Sequence, residues 1–162
     1  MYSEKVISMK YPIGIQNFEK LRTEGYAYVD KTSHIYRLAS EGNYYFLSRP
    51  RRFGKSLLLS TMRAYFEGKR ELFKGLAIEQ LEKEWKQYPV LYLDLNVGKY
   101  DNIEALTQRL EEALDEWETL FPPTVKAPSL PLRFGRVIRQ ACEMTGNRVV
   151  ILVDEYDKPM LE

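Results

Sequence analysis

Hydrophobic positions change period several times along the chain. Tyr44-Tyr45-Phe46-Leu47 is an unbroken apolar and aromatic run that predicts a short buried strand. A basic turn follows, and then Leu58, Leu59, Met62, Tyr65 and Phe66 recur at helical spacing. Pro89 opens a second continuous run, Val90–Leu95, which suits a buried parallel strand. Ile103, Leu106, Leu110, Leu114 and Trp117 line one face of a helix, with Asp101 and Glu104 in a capping-box-like pattern and Pro122-Pro123 as its end. Ser129 is placed to cap a further helix bearing Phe134, Val137, Ile138, Ala141 and Met144, with Gly146 as its stop. Val149–Val153 is the last strand, running into Asp154-Glu155.

The N-terminal part is less regular. Residues 1–10 carry little pattern and are expected to be mobile. Asn17 is a cap for a short helix with Phe18 and Leu21, and Tyr26–Val29 reads as extended. Asp30 or Thr32 caps a helix with Ile35, Leu38 and Ala39 that Gly42 ends. The stretch from Glu71 to Gln87 reads as helix in pieces, with Leu72, Phe73, Leu76, Ile78, Leu81 and Trp85 apolar. Alternating strands and helices predict a three-layer α/β fold with right-handed crossovers, in which Tyr44–Leu47, Val90–Leu95 and Val149–Val153 run parallel. Residues 11–162 are read as one domain after the mobile residues 1–10.

Composition narrows the chemistry. The chain has 162 residues and a net charge of +1, so no global field favours nucleic acid or an anionic membrane. Its one cysteine, Cys142, excludes an internal disulfide framework and a cysteine-rich zinc site, and its one histidine, His34, leaves little material for a histidine metal cluster. The longest aliphatic run, Val149–Val153, is far too short to span a membrane. Met1–Lys5 lacks the apolar core of a signal peptide, and the cytoplasm is the expected location.

The positive charge that matters is local. Arg49, Arg51, Arg52 and Lys55 cluster where the first strand hands over to a helix through Gly54-Lys55-Ser56. Free N–H groups at a helix start attract anions, Gly54 lets the backbone approach phosphate oxygens, Lys55 brings a point charge, and the Ser56 hydroxyl can ligate Mg²⁺. Arg51, Arg52, Phe53, Gly54, Lys55, Ser56 and Leu57 are the candidate phosphate-binding set. The alternative is a basic, solvated turn before an ordinary helix. The common pattern opens on a further glycine, and that position is Arg49 here, which predicts an altered loop entry. Arg51 and Arg52 would contact phosphate, nucleic acid or only solvent.

An aliphatic strand ending in Asp154-Glu155 supplies what such a loop lacks. Asp154 is the candidate Mg²⁺ ligand beside Ser56, and Glu155 the candidate catalytic base for water. The two motifs together resemble the bacterial AAA-ATPase-like family, relatives of AAA and STAND-type P-loop proteins. The resemblance rests on Pro12–Phe18, Tyr28–Thr32, Phe46–Ser56 and Val153–Pro159, and runs through nearly the whole chain from Tyr11. It implies ATP and Mg²⁺ as cofactors, and Arg49 at the loop entry is usual there. It also implies adenine against Ile13–Phe18 and Tyr28–Lys31, with packing of those residues at the sheet edge as the alternative. In that class a later strand inserts between the loop strand and the Asp-Glu strand, so the chain is expected to be a fragment. A PD-(D/E)xK nuclease-like domain often follows, and nucleic acid would be a partner only through such a domain. The leading expectation is Mg²⁺-dependent ATP hydrolysis driving a conformational change. The alternatives are a nucleotide-binding switch or assembly module with little turnover, with a homo-oligomer or another protein as partner, and a small-molecule phosphotransferase.

Overall fold

The computed structural model describes residues 10–50, 52–125 and 127–161. Most of the predicted mobile stretch, residues 1–10, therefore lies outside the described residues. The chain divides into two units. One runs to Tyr65 and resumes at Lys69–Trp85; the other takes Phe66–Gly68 and continues from Lys86.

The first unit holds helices α1 (Phe18–Thr23), α2 (Thr32–Glu41), most of α3 (Lys55–Phe66), a 3₁₀ turn at Arg70–Phe73 and α4 (Ala77–Leu81). Its core is aromatic. Phe18 and Phe73 are fully buried, with ring centroids 4.9 Å apart. Tyr28 meets Phe18 edge-on, and Tyr65 and Trp85 close around Phe73. Leu21, Ile35 and Ile78 complete it, as the apolar pattern predicts. The Ser60 hydroxyl in α3 accepts from the Phe18 N–H at 2.9 Å, which ties α1 to the loop helix.

Asp30 and Thr32 form a polar clip. One Asp30 oxygen accepts from the Thr32 N–H and hydroxyl, but the cap position of α2 is Lys31, without a side-chain cap bond, and neither Asp30 nor Thr32 is the cap that the sequence predicts. The other accepts from the Ala77 N–H at 2.7 Å, while the Thr32 hydroxyl oxygen accepts from Ile78 N–H at 3.1 Å. Two otherwise unpaired donors at the start of α4 are thus capped from a distant segment. Burial pushes the Asp30 carboxyl up, but the hydrogen bonds from Ala77 and Thr32 outweigh it and hold it below its ordinary value. A depressed folded pKa stabilises above the unfolded value and is lost as pH falls through the folded one. Urea unfolding across pH is therefore expected to show stability declining below about pH 4. Asp30→Ala should shrink that decline and cost about 1 kcal/mol near neutrality, the usual worth of a cap. An unchanged acid profile in Asp30→Ala would remove the clip from this account.

The second unit holds β1 (Val90–Asp94), α5 (Ile103–Leu120), α6 (Leu130–Thr145), β2 (Val150–Asp154) and the short α7 (Lys158–Leu161). Two strands and two long helices make it α/β. β1 and β2 pair in parallel, Val90 opposite Val150 through Asp94 opposite Asp154. Leu91 from the sheet packs with Ala113, Leu114 and Trp117 of α5 and Val137 of α6. Arg133 joins the helices through Glu118 and Asp115. α6 ends at Gly146, whose φ of 67° is a left-handed cap that an L-residue adopts at a cost.

Three expectations need correction. Tyr44–Leu47 forms no strand, and its side chains are exposed, Tyr44 to 96%. A strand is a property of a pair, and an apolar run cannot provide its own hydrogen-bonded neighbour; among the described residues this one has no ladder partner. The sheet accordingly has two strands among those residues, rather than the predicted three. The cap of α5 is Asn102, whose side chain accepts from the Ala105 N–H at 2.8 Å, and not Asp101. Finally, the predicted apolar stripes bury only in part: Ile103 of α5 and Met144 of α6 are exposed, and in α3 it is Thr61, Ala64 and Tyr65 that are buried.

Candidate functional site

The loop before α3 is built from its glycine and its lysine. Gly54 has φ of 75°, and no atom lies within 4 Å of where a Cβ would stand, so torsion rather than crowding calls for glycine. The Gly54 carbonyl accepts from Leu58 N–H at 3.0 Å, the first bond of α3. Lys55, Ser56 and Leu57 therefore occupy the first helical turn, where N–H groups have no intrahelical acceptor and the helix dipole favours an anion. The Lys55 ammonium donates to the Arg49 carbonyl at 3.0 Å, reaching back across the loop.

Arg49 is not in the left-handed region, whereas Arg52 is, at φ 67°. A non-glycine residue there costs roughly 1–2 kcal/mol. Arg52 and Phe53 are exposed, and Arg51 lies outside the described residues.

Asp154 and Glu155 belong to the other unit. Asp154 closes β2 and is only 5% exposed. One carboxylate oxygen accepts from the Glu155 N–H at 3.0 Å, the other from the Tyr92 hydroxyl at 3.3 Å. Glu155 is again left-handed, with φ 52°. Its carbonyl accepts from the Lys158 N–H, and the Lys158 ammonium donates to the Asn96 and Gly98 carbonyls, both at 2.8 Å. That contact fastens α7 to the loop after β1. Of the residues with positive φ that are not glycine, Arg52 and Glu155 fall in the two motifs, and Trp85 lies outside them. Strain of this kind gathers at functional sites.

The donor set suits a divalent ion in part. Each oxygen of Asp154 keeps a lone pair beyond its one hydrogen bond, so the carboxylate is able to ligate. No group of three or more His, Cys, Asp or Glu side chains converges among the described residues. Further ligands would have to be hydroxyl, water or phosphate oxygens, which is the mixture Mg²⁺ usually takes.

Sequence reading missed Tyr92 and Asp94. Both lie in β1, and Asp94 is in register with Asp154. Period two places Tyr92 and Asp94 on one face of the strand, but register with a distant strand leaves no local mark. The segment assigned to adenine is divided: Phe18 is core and Asp30 is the α4 clip, while Ile13 is 93% exposed and Val29 78%. Phe18 packs against Tyr28 and Phe73 in the aromatic core of the first unit, not against a sheet edge.

The loop before α3 and the acidic end of β2 are the two motifs on which the sequence resembles a family of ATPases. The chain belongs to the predicted AAA-ATPase family, whose AAA-ATPase-like model matches residues 12–162. Membership points to nucleotide binding in general terms. The chain is also similar to the "Uncharacterized protein in vnfD 5'region" of Azotobacter chroococcum mcd 1, 43% identical over 154 residues. The match covers 94% of this chain and 30% of that protein, so the chain spans less than a third of the curated relative's length. No solved structure matches it. No helix among the described residues is long and apolar enough to cross a membrane.

Proposed function

We propose that residues 11–162 are part of a P-loop ATPase domain that binds ATP with Mg²⁺ and hydrolyses it to drive a conformational change. The observation that carries this reading is Lys55, on the first turn of α3, with its ammonium bent back onto the Arg49 carbonyl at 3.0 Å. That carbonyl is a neutral acceptor. Phosphate oxygens would be stronger ones, and the ammonium would exchange one for the other with little movement. The N–H groups of Lys55, Ser56 and Leu57 would hold the same phosphates. The Ser56 hydroxyl and the Asp154 carboxylate would hold Mg²⁺, which supplies charge neutralisation at the phosphates. Glu155 would accept the proton of the attacking water, and its left-handed backbone fixes where its side chain leaves the chain. A three-layer sheet in the whole protein belongs to the same proposal.

The test uses the whole protein. Calorimetry is expected to show ATP binding that tightens with Mg²⁺, and phosphate release without any added acceptor. Asp154→Asn should lose most of the Mg²⁺-dependent tightening while keeping metal-free binding, because the charge it removes serves the metal. Absence of ATP binding would end the proposal, and binding without turnover would favour a nucleotide switch.

A further inference from the structure

We propose that Tyr92 is a positioning residue that holds the Asp154 carboxylate in place for the metal. The assignment rests on the reading above, in which Asp154 serves Mg²⁺.

The geometry comes from β1 and β2 alone. Parallel register puts Asp94 beside Asp154, and Tyr92 lies one full pleat earlier on the same face as Asp94. Its hydroxyl therefore meets Asp154 diagonally across the ladder, at 3.3 Å from the second carboxylate oxygen. The first oxygen is held by the Glu155 N–H at 3.0 Å. A buried carboxylate needs its oxygens hydrogen-bonded, and Asp154 is 5% exposed. Two donors, one on each oxygen, fix the plane of the group as well as its distance from the strand. A backbone N–H from the next residue cannot do this alone, since the carboxylate still turns about its own χ angles. The partner that stops the turning comes from the adjacent strand. Such partners of a ligating carboxylate set metal affinity by roughly 10–100-fold, and a 3.3 Å contact belongs at the lower end.

The substitution Tyr92→Phe removes the hydroxyl and keeps the ring. In the whole protein, Mg²⁺ is titrated against a complex with a non-hydrolysable ATP analogue, followed by calorimetry, with thermal unfolding measured alongside. The Mg²⁺ concentration giving half the tightening is expected to rise about tenfold. Metal-free affinity and the unfolding midpoint should stay where they are. In an Asp154→Asn background, Tyr92→Phe should change the Mg²⁺ dependence no further. If Asp154→Asn loses the Mg²⁺ dependence and Tyr92→Phe keeps it, the Tyr92 assignment is wrong and the Asp154 reading stands. If Tyr92→Phe lowers the midpoint and both affinities in step, the hydroxyl is structural and the assignment is likewise wrong. If the unsubstituted protein shows no Mg²⁺ dependence, the role of Asp154 falls and takes this inference with it.

Discussion

Glu155→Gln in the whole protein is expected to leave nucleotide binding intact while hydrolysis falls by about 10²–10⁴-fold, the range for a positioned acid–base group. Glutamine matches glutamate in size and still hydrogen-bonds, but it does not accept a proton at neutral pH. The backbone adds a second arm. Glu155 has φ 52°, where a side chain costs roughly 1–2 kcal/mol and glycine nothing comparable. Glycine also makes the unfolded chain more flexible, by about 0.4–1 kcal/mol. Glu155→Gly is therefore expected to hold the stability of the protein or raise it by up to about 1.6 kcal/mol, while losing turnover as Gln does. Phosphate release and urea unfolding read the two effects separately. Full hydrolysis in Glu155→Gln would assign the water to another group. A large stability loss in Glu155→Gly would mean that the side chain supports the fold instead.

Lys55→Ala is expected to weaken ATP binding beyond calorimetric detection, with the unfolding midpoint lowered by no more than a few degrees. The lysine reaches back over the loop. Its partner is the Arg49 carbonyl, so alanine forfeits a single, exposed hydrogen bond in the absence of nucleotide, worth about 0.5–1.5 kcal/mol. With nucleotide present, the same change removes a contact in which both partners are charged, ammonium to phosphate, where the nucleotide-free contact has a neutral acceptor. The ratio of the two effects is the diagnostic quantity. Equal ATP affinity in Lys55→Ala and the unsubstituted protein would return the loop to a basic, solvated turn.

The helices were legible because their hydrogen bonds close within a few residues. Asn17 caps α1 through the Lys20 N–H, Gly146 closes α6, and the spacing of Leu114, Trp117, Val137 and Ala141 marks faces that are buried. Gly54-Lys55-Ser56 at the start of α3 and Asp154-Glu155 at the end of β2 could be read for the same reason, since each needs only its own element to put it there. Belonging to the predicted AAA-ATPase family was also legible, from the residues around those two motifs.

What the tertiary structure decided were the partnerships between distant segments. Tyr44–Leu47 has the composition of a strand and lacks a ladder partner among the described residues, because pairing depends on a second segment that the run does not encode. Asp30 reaches the Ala77 N–H of α4, a donor 47 residues away, and no local pattern chooses that donor over the nearer Thr32 N–H that it also takes. The register that sets Asp94 against Asp154 brings the Tyr92 hydroxyl to the buried carboxylate across a separation of 62 residues. Local pattern determined which segments become helix. The ladder register and the long-range hydrogen bonds determined which side chains those segments offer one another, since that depends on contacts no single stretch of chain contains.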